Sequence, residues 1–362
     1  MQTFLECLDC ASRYPATVTI LRCPACAGLF KLAFSEDSNP VSPLLPLHGT
    51  VVSLGEGRTP LVRLTRTAEH LGISALYAKL EFMAPTGSFK DRGSAILVSA
   101  AAAEGVREFV EDSSGNAGAS LSAYAAFAGM KAHVFVPSSA ARGKLDQIRI
   151  FGAELHAIDG PRQAATEAAE RFVAERGLPY LSHNLSPYFS EGMKAVAYEL
   201  HHSGIGRVDH IVLPVGNGSM LIGAKVGYDE LSSAGATTTI PRFHCVQAEG
   251  VQPIAAAIKG NEWSRADVRP TVASGIAVSV PPRLNQCVTA VQESGGSAVV
   301  FADDNAKAWQ QRLARNEGIF CEVTSAAAFA GLEQLVAAGK IASTHSVVVP
   351  ITGSGLKEPL SS

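Results

Sequence analysis

The chain has 362 residues, more than a single hydrophobic core usually serves, so two lobes and a small appendage are expected. Hydrophobic residues make up 47% and charged residues 17%, which excludes a disordered chain. A formal net charge of -3 gives no basic field to gather nucleic acid or anionic lipid, and no run of 18 apolar residues marks a membrane span. Small-molecule partners are therefore expected. The first residues lack the basic start and apolar core of a secretion signal, so the chain reads as cytoplasmic.

Residues 5–32 carry a C-x2-C-x12-C-x2-C spacing through Cys7, Cys10, Cys23 and Cys26. Two such pairs suit a small four-thiolate zinc ribbon, each pair giving two thiolates to one tetrahedral metal. With four thiolates used, no position stays open for water, so the ion would be structural. A linker rich in Pro, Ser and Asp follows, to about Gly49. Cys245, Cys287 and Cys321 lie in apolar segments and read as buried thiols.

Beyond residue 75 short apolar runs alternate with longer Ala- and Leu-rich stretches. Of the runs 75–82, 107–111, 132–137, 154–158, 210–215, 243–247 and 346–350 most are continuous rather than alternating, as strands covered on both faces should be. The stretches 117–128, 163–175, 191–201, 304–316 and 325–338 are long enough for helices. Together they predict an α/β protein with largely parallel sheet.

Four strand-to-helix turns concentrate chemistry. Residues 85–93 (PTGSFKDRG) put Lys90 at a helix start, where Ser88 and Asp91 suggest a loose capping box and the helix dipole disfavours an ammonium. A neutral, fixed lysine amine is what imine chemistry requires. Residues 112–118 (DSSGNAG) offer hydroxyls, an amide and free N–H groups to a carboxylate or a ring oxygen. Val215, Gly216, Asn217, Gly218, Ser219 and Met220 form a turn whose N–H groups can converge on a phosphate. Residues 351–357 (ITGSGLK) end the last strand, where the neutral Thr352 hydroxyl can meet a heteroaromatic nitrogen.

In order and type, SFKDR, SSGNA, GNG and TGSGLK resemble the fold-type-II pyridoxal-phosphate enzymes. The flanking segments 54–64 (LGEGRTPLVRL), 142–155, 246–250 and 316–328 resemble the threonine synthases among them, and the likeness spans roughly residues 50–359. It implies a two-lobed, three-layer α/β fold with mostly parallel sheets, plus the zinc-ribbon-like module. The implied division is residues 1–45 for module and linker, 46–95 with 185–362 for a large cofactor domain, and 96–184 for a small one. The active site is expected between lobes, in a homodimer.

The resemblance also implies roles. Lys90 would carry pyridoxal phosphate as a Schiff base and later move protons, Asn116 would meet the ring hydroxyl, residues 215–220 the phosphate and Thr352 the ring nitrogen. Ser113, Ser114, Gly115 and Ala117 would border the substrate, as would His183, Asn184 and Phe189. The last three fall in HNLSPYF, where threonine synthases carry an Asn-Ser-x-Asn-Pro-x-Arg-type segment that helps bind the substrate phosphate. Phe189 takes the arginine position, Ala117 replaces a common threonine, and residues 273–283, ending at Arg283, depart from the family pattern.

The implied activity is a lyase or synthase acting on an amino acid with a β- or γ-leaving group, either O-phosphohomoserine to threonine and phosphate or a repurposed reaction. Alternatives are β-replacement of the cysteate or cysteine synthase kind, serine or threonine ammonia-lyase activity and, in another class, a noncatalytic binding relic. His133, His156, His201, His202, His210 and His244 lack metal-ligand spacing along the chain and read as packed or solvated side chains. Asp91 and Arg92 read as local helix-start charges.

Overall fold

The structure is a computed structural model that describes residues 2–35, 51–140 and 142–358. The greater part of the linker expected before Gly49 lies outside the described residues. In chain order the strands are β1 (Thr3–Cys7), β2 (Arg13–Pro15), β3 (Phe30–Phe34), β4 (Leu61–Arg63), β5 (Ala75–Lys79), β6 (Glu108–Glu111), β7 (Lys131–Pro137), β8 (Glu154–Ile158), β9 (His210–Pro214), β10 (Arg242–Ala248), β11 (Ala298–Phe301) and β12 (Ser346–Pro350). They form two compact units, one of Met1–Glu56 with Lys90–Met193, the other of Gly57–Phe89 with Lys194–Ser362.

The first unit holds two small sheets. An antiparallel one, in the order β2-β1-β3, carries the four cysteines. A parallel one, in the order β6-β7-β8, is extended by the segment at Tyr180, which runs beside Val110. The Lys90–Ala103 helix packs on the helices Asn116–Phe127 and Pro187–Gly192.

The second unit is built on a six-stranded sheet, β11-β10-β9-β12-β5-β4, parallel except for the antiparallel edge strand β4. Side chains alternate between two apolar clusters. Val347 and Val349 enter one together with Val212 and Val246, while Val348 enters the other with Ile211, Leu213 and Cys245. Both faces are buried, which is why these strands read as unbroken apolar runs. The Val323–Ala337 helix covers one face and the Ser219–Ser233 helix the other.

Two expectations need correction. The run 75–82 is strand only to Lys79, then turns through a 3-10 segment at Glu81–Met83. The helix expected over 191–201 is two helices, Pro187–Gly192 and Ala195–His201, and the division between the units falls in the gap between them.

Three imidazoles form a chain in the second unit. Ser297 N–H donates to His244 Nδ1 (3.1 Å), so His244 Nε2 carries the proton toward His210 Nδ1 (2.9 Å). His210 Nε2–H then donates to His345 Nδ1 (2.8 Å), which also accepts from Ala342 N–H (3.2 Å). Every shared proton has one donor and one acceptor, so an added proton sets two N–H groups face to face. Burial first, and then the neighbouring imidazole, pushes His210 down to about 4 and His244 to about 3.

These are bases depressed from 6.5, so the unfolded chain binds more protons between pH 6.5 and 4. Stability is full above pH 6.5 and falls as pH drops toward 4, by about 1.4 kcal/mol per unit of depression. The urea midpoint should decline across that window, and His244→Leu should flatten the decline. Equal slopes in the two proteins would sink this account.

Candidate active site

Strands β9, β12 and β5 are parallel neighbours, so their carboxyl ends share one edge of the sheet. In parallel α/β sheets this edge is where ligands bind. The loops that leave it contain residues 85–89, 215–219 and 351–355.

After β9 the chain turns through Gly216 and Gly218 into the 15-residue Ser219–Ser233 helix. Gly218 caps that helix at φ +82°, and a Cβ there would lie 2.0 Å from Cys287 Sγ. A Cβ on Gly216 would come within 3.0 Å of Ile276 Cα. Gly218 is required by both space and backbone angle, and Gly216 by a tight fit. The helix start has no side-chain cap bond and no acidic residue in its first turn, so its N–H groups and the positive dipole end are uncompensated.

Among the described residues, the buried Asn217 Oδ1 has no hydrogen-bond partner. Buried Gln247, which sequence reasoning missed, fixes this turn by donating to the Val215 carbonyl (3.0 Å) while accepting from Ile254 and Ala255 N–H (2.9 Å each). Met220 is buried in the adjoining apolar cluster. Buried Arg283 precedes Cys287 by one helical turn and bonds Gln286 (2.6 Å). The turn fits the phosphate of a cofactor.

Thr352 is buried at the end of β12, its Oγ1 2.9 Å from Ser325 Oγ, which also accepts from Gly353 N–H (3.0 Å). Ser325 was another omission from sequence reasoning. The lysine loop is laced to this segment. Phe89 N–H donates to the Thr352 carbonyl (3.0 Å), Ser354 N–H to the Gly87 carbonyl (3.0 Å), and Lys357 Nζ to the Thr86 carbonyl (2.8 Å). Ser88 pairs with Gly353 through the backbone, but its Oγ has no hydrogen-bond partner among the described residues. The capping box expected of Ser88 and Asp91 is therefore not made.

Lys90 is the first residue of the Lys90–Ala103 helix. Asp91 in the same turn accepts from Ser120 Oγ (2.6 Å). Lys90 Nζ stands 5.6 Å from the centroid of the Phe189 ring. Phe189 is fully buried, and the space it fills exists because residue 93 is glycine, whose Cβ would lie 2.7 Å from the ring. His183 meets Phe189 edge-on at 5.7 Å, and its Nδ1 is 2.5 Å from Glu111 Oε1. Asn184, half-buried, bonds His183.

Glu111 ends β6 and leads into the SSGN loop, a position that sequence reasoning did not single out. Burial, and then Asp112, pushes its carboxyl well up, while burial and then Lys90 push His183 well down. Both shifts favour the uncharged forms. Asp112 is held below its usual range against the cost of burial by Arg162 (3.1 Å) and Thr166 (2.6 Å).

Ser113 Oγ accepts from Gly115 N–H (3.3 Å), Ser114 is half-buried, and Gly115 caps the Asn116–Phe127 helix without a side-chain bond. Asn116 opens that helix and Ala117 is buried. A Cβ on Gly118 would lie 1.9 Å from the Ser113 carbonyl oxygen, so the loop closes only over a glycine.

At the N-terminus all four cysteine sulfurs lie within 4.8 Å of one another, with Cys7 and Cys26 3.4 Å apart and Cys10 and Cys23 3.6 Å apart, all as free thiols. Gly28 makes room, since its Cβ would sit 2.9 Å from Cys7 Sγ.

The three turns lie within the stretch that one known family matches. The chain belongs to the pyridoxal-phosphate-dependent enzymes, whose family model matches residues 52–353. Within them it is threonine-synthase-like. It is 35% identical over 374 residues to the threonine synthase of Methanosarcina acetivorans, covering 98% of this chain and 92% of that protein. It is 34% identical over 380 residues to that of Methanocaldococcus jannaschii, covering 98% and 93%. Among solved structures, O-ureido-L-serine synthase matches with a TM-score of 0.71 at 24% identity over 86% of this chain and 93% of that one. Maize serine racemase gives 0.72 at 20% over 84% and 89%. The shared fold is fold-type-II.

Gly218→Ala should cost about 1–3 kcal/mol and hasten cofactor loss on dialysis. Gly235→Ala, also at positive φ (+71°) but with nothing within 4 Å of its Cβ, is the control for backbone strain alone. Equal behaviour of the two variants would refute the steric argument.

Proposed function

We propose that this enzyme converts O-phosphohomoserine to L-threonine and phosphate. What carries the reading is similarity to threonine synthases from end to end of the chain, over 98% of its length. The glycine turn after β9, with its uncompensated helix start, supports it.

When bound, pyridoxal phosphate supplies an aldehyde for the substrate amine and a ring that delocalises the electron pair left at Cα. The Gly216–Met220 backbone, with Asn217, holds the cofactor phosphate through N–H donors and the helix dipole. Thr352, steadied by Ser325, presents a neutral hydroxyl to the ring nitrogen, and Asn116 meets the ring hydroxyl. Lys90 would hold the cofactor through its aldehyde, and its free amine would take and return protons at the substrate Cα and its neighbour. Ser113, Ser114 and Gly115 orient the substrate carboxylate at an uncapped helix start, next to Ala117.

Phe189 favours a second reading. An aromatic ring cannot give the charge-assisted, bidentate contacts that suit a phosphate dianion. A repurposed relative acting on another amino acid, by β-replacement or by ammonia elimination, accommodates that change, with His183, Asn184 and Phe189 shaping the pocket. The four cysteines are assigned to one structural Zn2+ in a ribbon-like module, and the working assembly to a cytoplasmic homodimer.

Purified protein should be screened by absorbance and mass spectrometry against O-phosphohomoserine, O-phosphoserine, serine and threonine. Threonine formed from O-phosphohomoserine supports the first reading, and turnover of another amino acid alone supports the second. Lys90→Ala should lose both the visible absorbance of covalently held cofactor and turnover. Retention of either would remove Lys90 from its role.

A further inference from the structure

The face of the β6-β7-β8 sheet that carries His133 and His156 gathers ligand-type atoms that sequence spacing hides. In a parallel sheet, paired residues point to the same side, as do residues two apart on one strand. Glu108 pairs with Lys131, His133 with Glu154, and Phe135 with His156. Glu108, His133, Glu154 and His156 therefore share one face, on three rigid strands.

Their atoms converge. His133 Nδ1 and His156 Nε2 are 3.1 Å apart, and Glu154 places Oε2 3.6 Å from His133 Nδ1 and Oε1 3.6 Å from His156 Nε2. Nitrogen and oxygen ligands about 2.0–2.2 Å from a tetrahedral ion stand about 3.3–3.5 Å from each other. On its far side His133 directs Nε2 to Glu108 Oε1 at 2.5 Å. A carboxylate that accepts from one ring nitrogen leaves the other as a lone pair, the arrangement that supports metal-bound histidines.

Both rings are held by packing. His156 stacks on Phe135 at 4.3 Å and 8°, and Phe172 lies 5.0 Å from His133 and 5.3 Å from His156. His156 and Glu154 reach solvent, which provides an entry path and room for a water as fourth ligand.

We propose that His133, His156 and Glu154 form a binding site for a divalent transition-metal ion, Zn2+ in the first place, separate from the cofactor site and from the four cysteines. Two imidazoles and a carboxylate suit zinc and its neighbours rather than Mg2+ or Ca2+. The ion would cross-link β7 to β8. Lys131 opposes it, with Nζ 2.7 Å from Glu154 and 3.5 Å from Glu108. Its side chain is half exposed, so it can withdraw when an ion enters.

The test is Co2+ titration of the full-length, cofactor-loaded protein. Cobalt in a four-thiolate site gives intense sulfur-to-metal charge transfer, whereas nitrogen and oxygen ligands give only ligand-field bands. The expected result is an equivalent bound without charge transfer, abolished in His156→Gln and tightened several-fold in Lys131→Gln. Only charge-transfer cobalt, or undiminished binding by a folded His156→Gln, would overturn the proposal. If His156→Gln loses its cofactor absorbance, Lys131→Gln decides, and binding no tighter than in the parent also overturns it.

Discussion

What the second unit depends on is close approach of neighbouring residues to the backbone where its parallel strands end. At Gly216, Gly218 and Gly353 a Cβ would enter space held by Ile276, Cys287 and Glu322 respectively. The missing side chains do two things together. They let the turns fold over one another, and they leave main-chain N–H groups as the surface a ligand meets. The lysine turn obeys the same constraint. Gly87, at φ +78°, accepts from Ser354 N–H through its carbonyl, and Phe89, the residue before Lys90, is tied to Thr352.

These turns are seated on a buried ionic anchor. Lys79, at the end of β5, places Nζ 2.5 Å from the Thr59 carbonyl, the Thr59 hydroxyl and Glu199. The Thr59 hydroxyl donates in turn to the fully buried Glu81 (2.7 Å), and Glu199 accepts from Arg58 N–H (2.8 Å). An unpaired charge at this depth would be strongly unfavourable, so the partners must act together. This accounts for the GRTP portion of the LGEGRTP segment, which sequence reasoning used only as a mark of resemblance. Its other half belongs to the first unit, where Glu56 accepts from the Tyr124 hydroxyl (2.6 Å).

The strands of the large sheet were legible because burial on both faces makes an apolar run, and the turns because glycine and hydroxyl residues interrupt such runs. Strands that lack this signature were missed. β4 is a three-residue edge strand, and β11 is half-buried along most of its length. The same limit applies to side chains whose importance comes from a neighbour distant in sequence. Gln247, Ser325 and Glu111 act on Val215, Thr352 and His183, and no local pattern marks such pairs. His133 and His156 were read as packed histidines because their separation along the chain fits no metal motif, whereas strand register sets them side by side.

Phe189 is part of the packing between two helices rather than an isolated exchange of one side chain for another. Its ring occupies the place of a Cβ on Gly93, and Gly192, three residues on, is needed because its own Cβ would lie 2.1 Å from the Arg92 carbonyl oxygen. Two glycines on facing helices thus press the start of the Lys90–Ala103 helix against the Pro187–Gly192 helix. A guanidinium in place of the ring would be buried in this contact, close to Lys90, where like charges repel and water is excluded. Beyond the ring lie Glu111 and His183, whose burial pushes the carboxyl up and the imidazole down. The side of Lys90 that faces Phe189 is therefore apolar, and Phe189 itself supplies no charge to recognise an anionic leaving group.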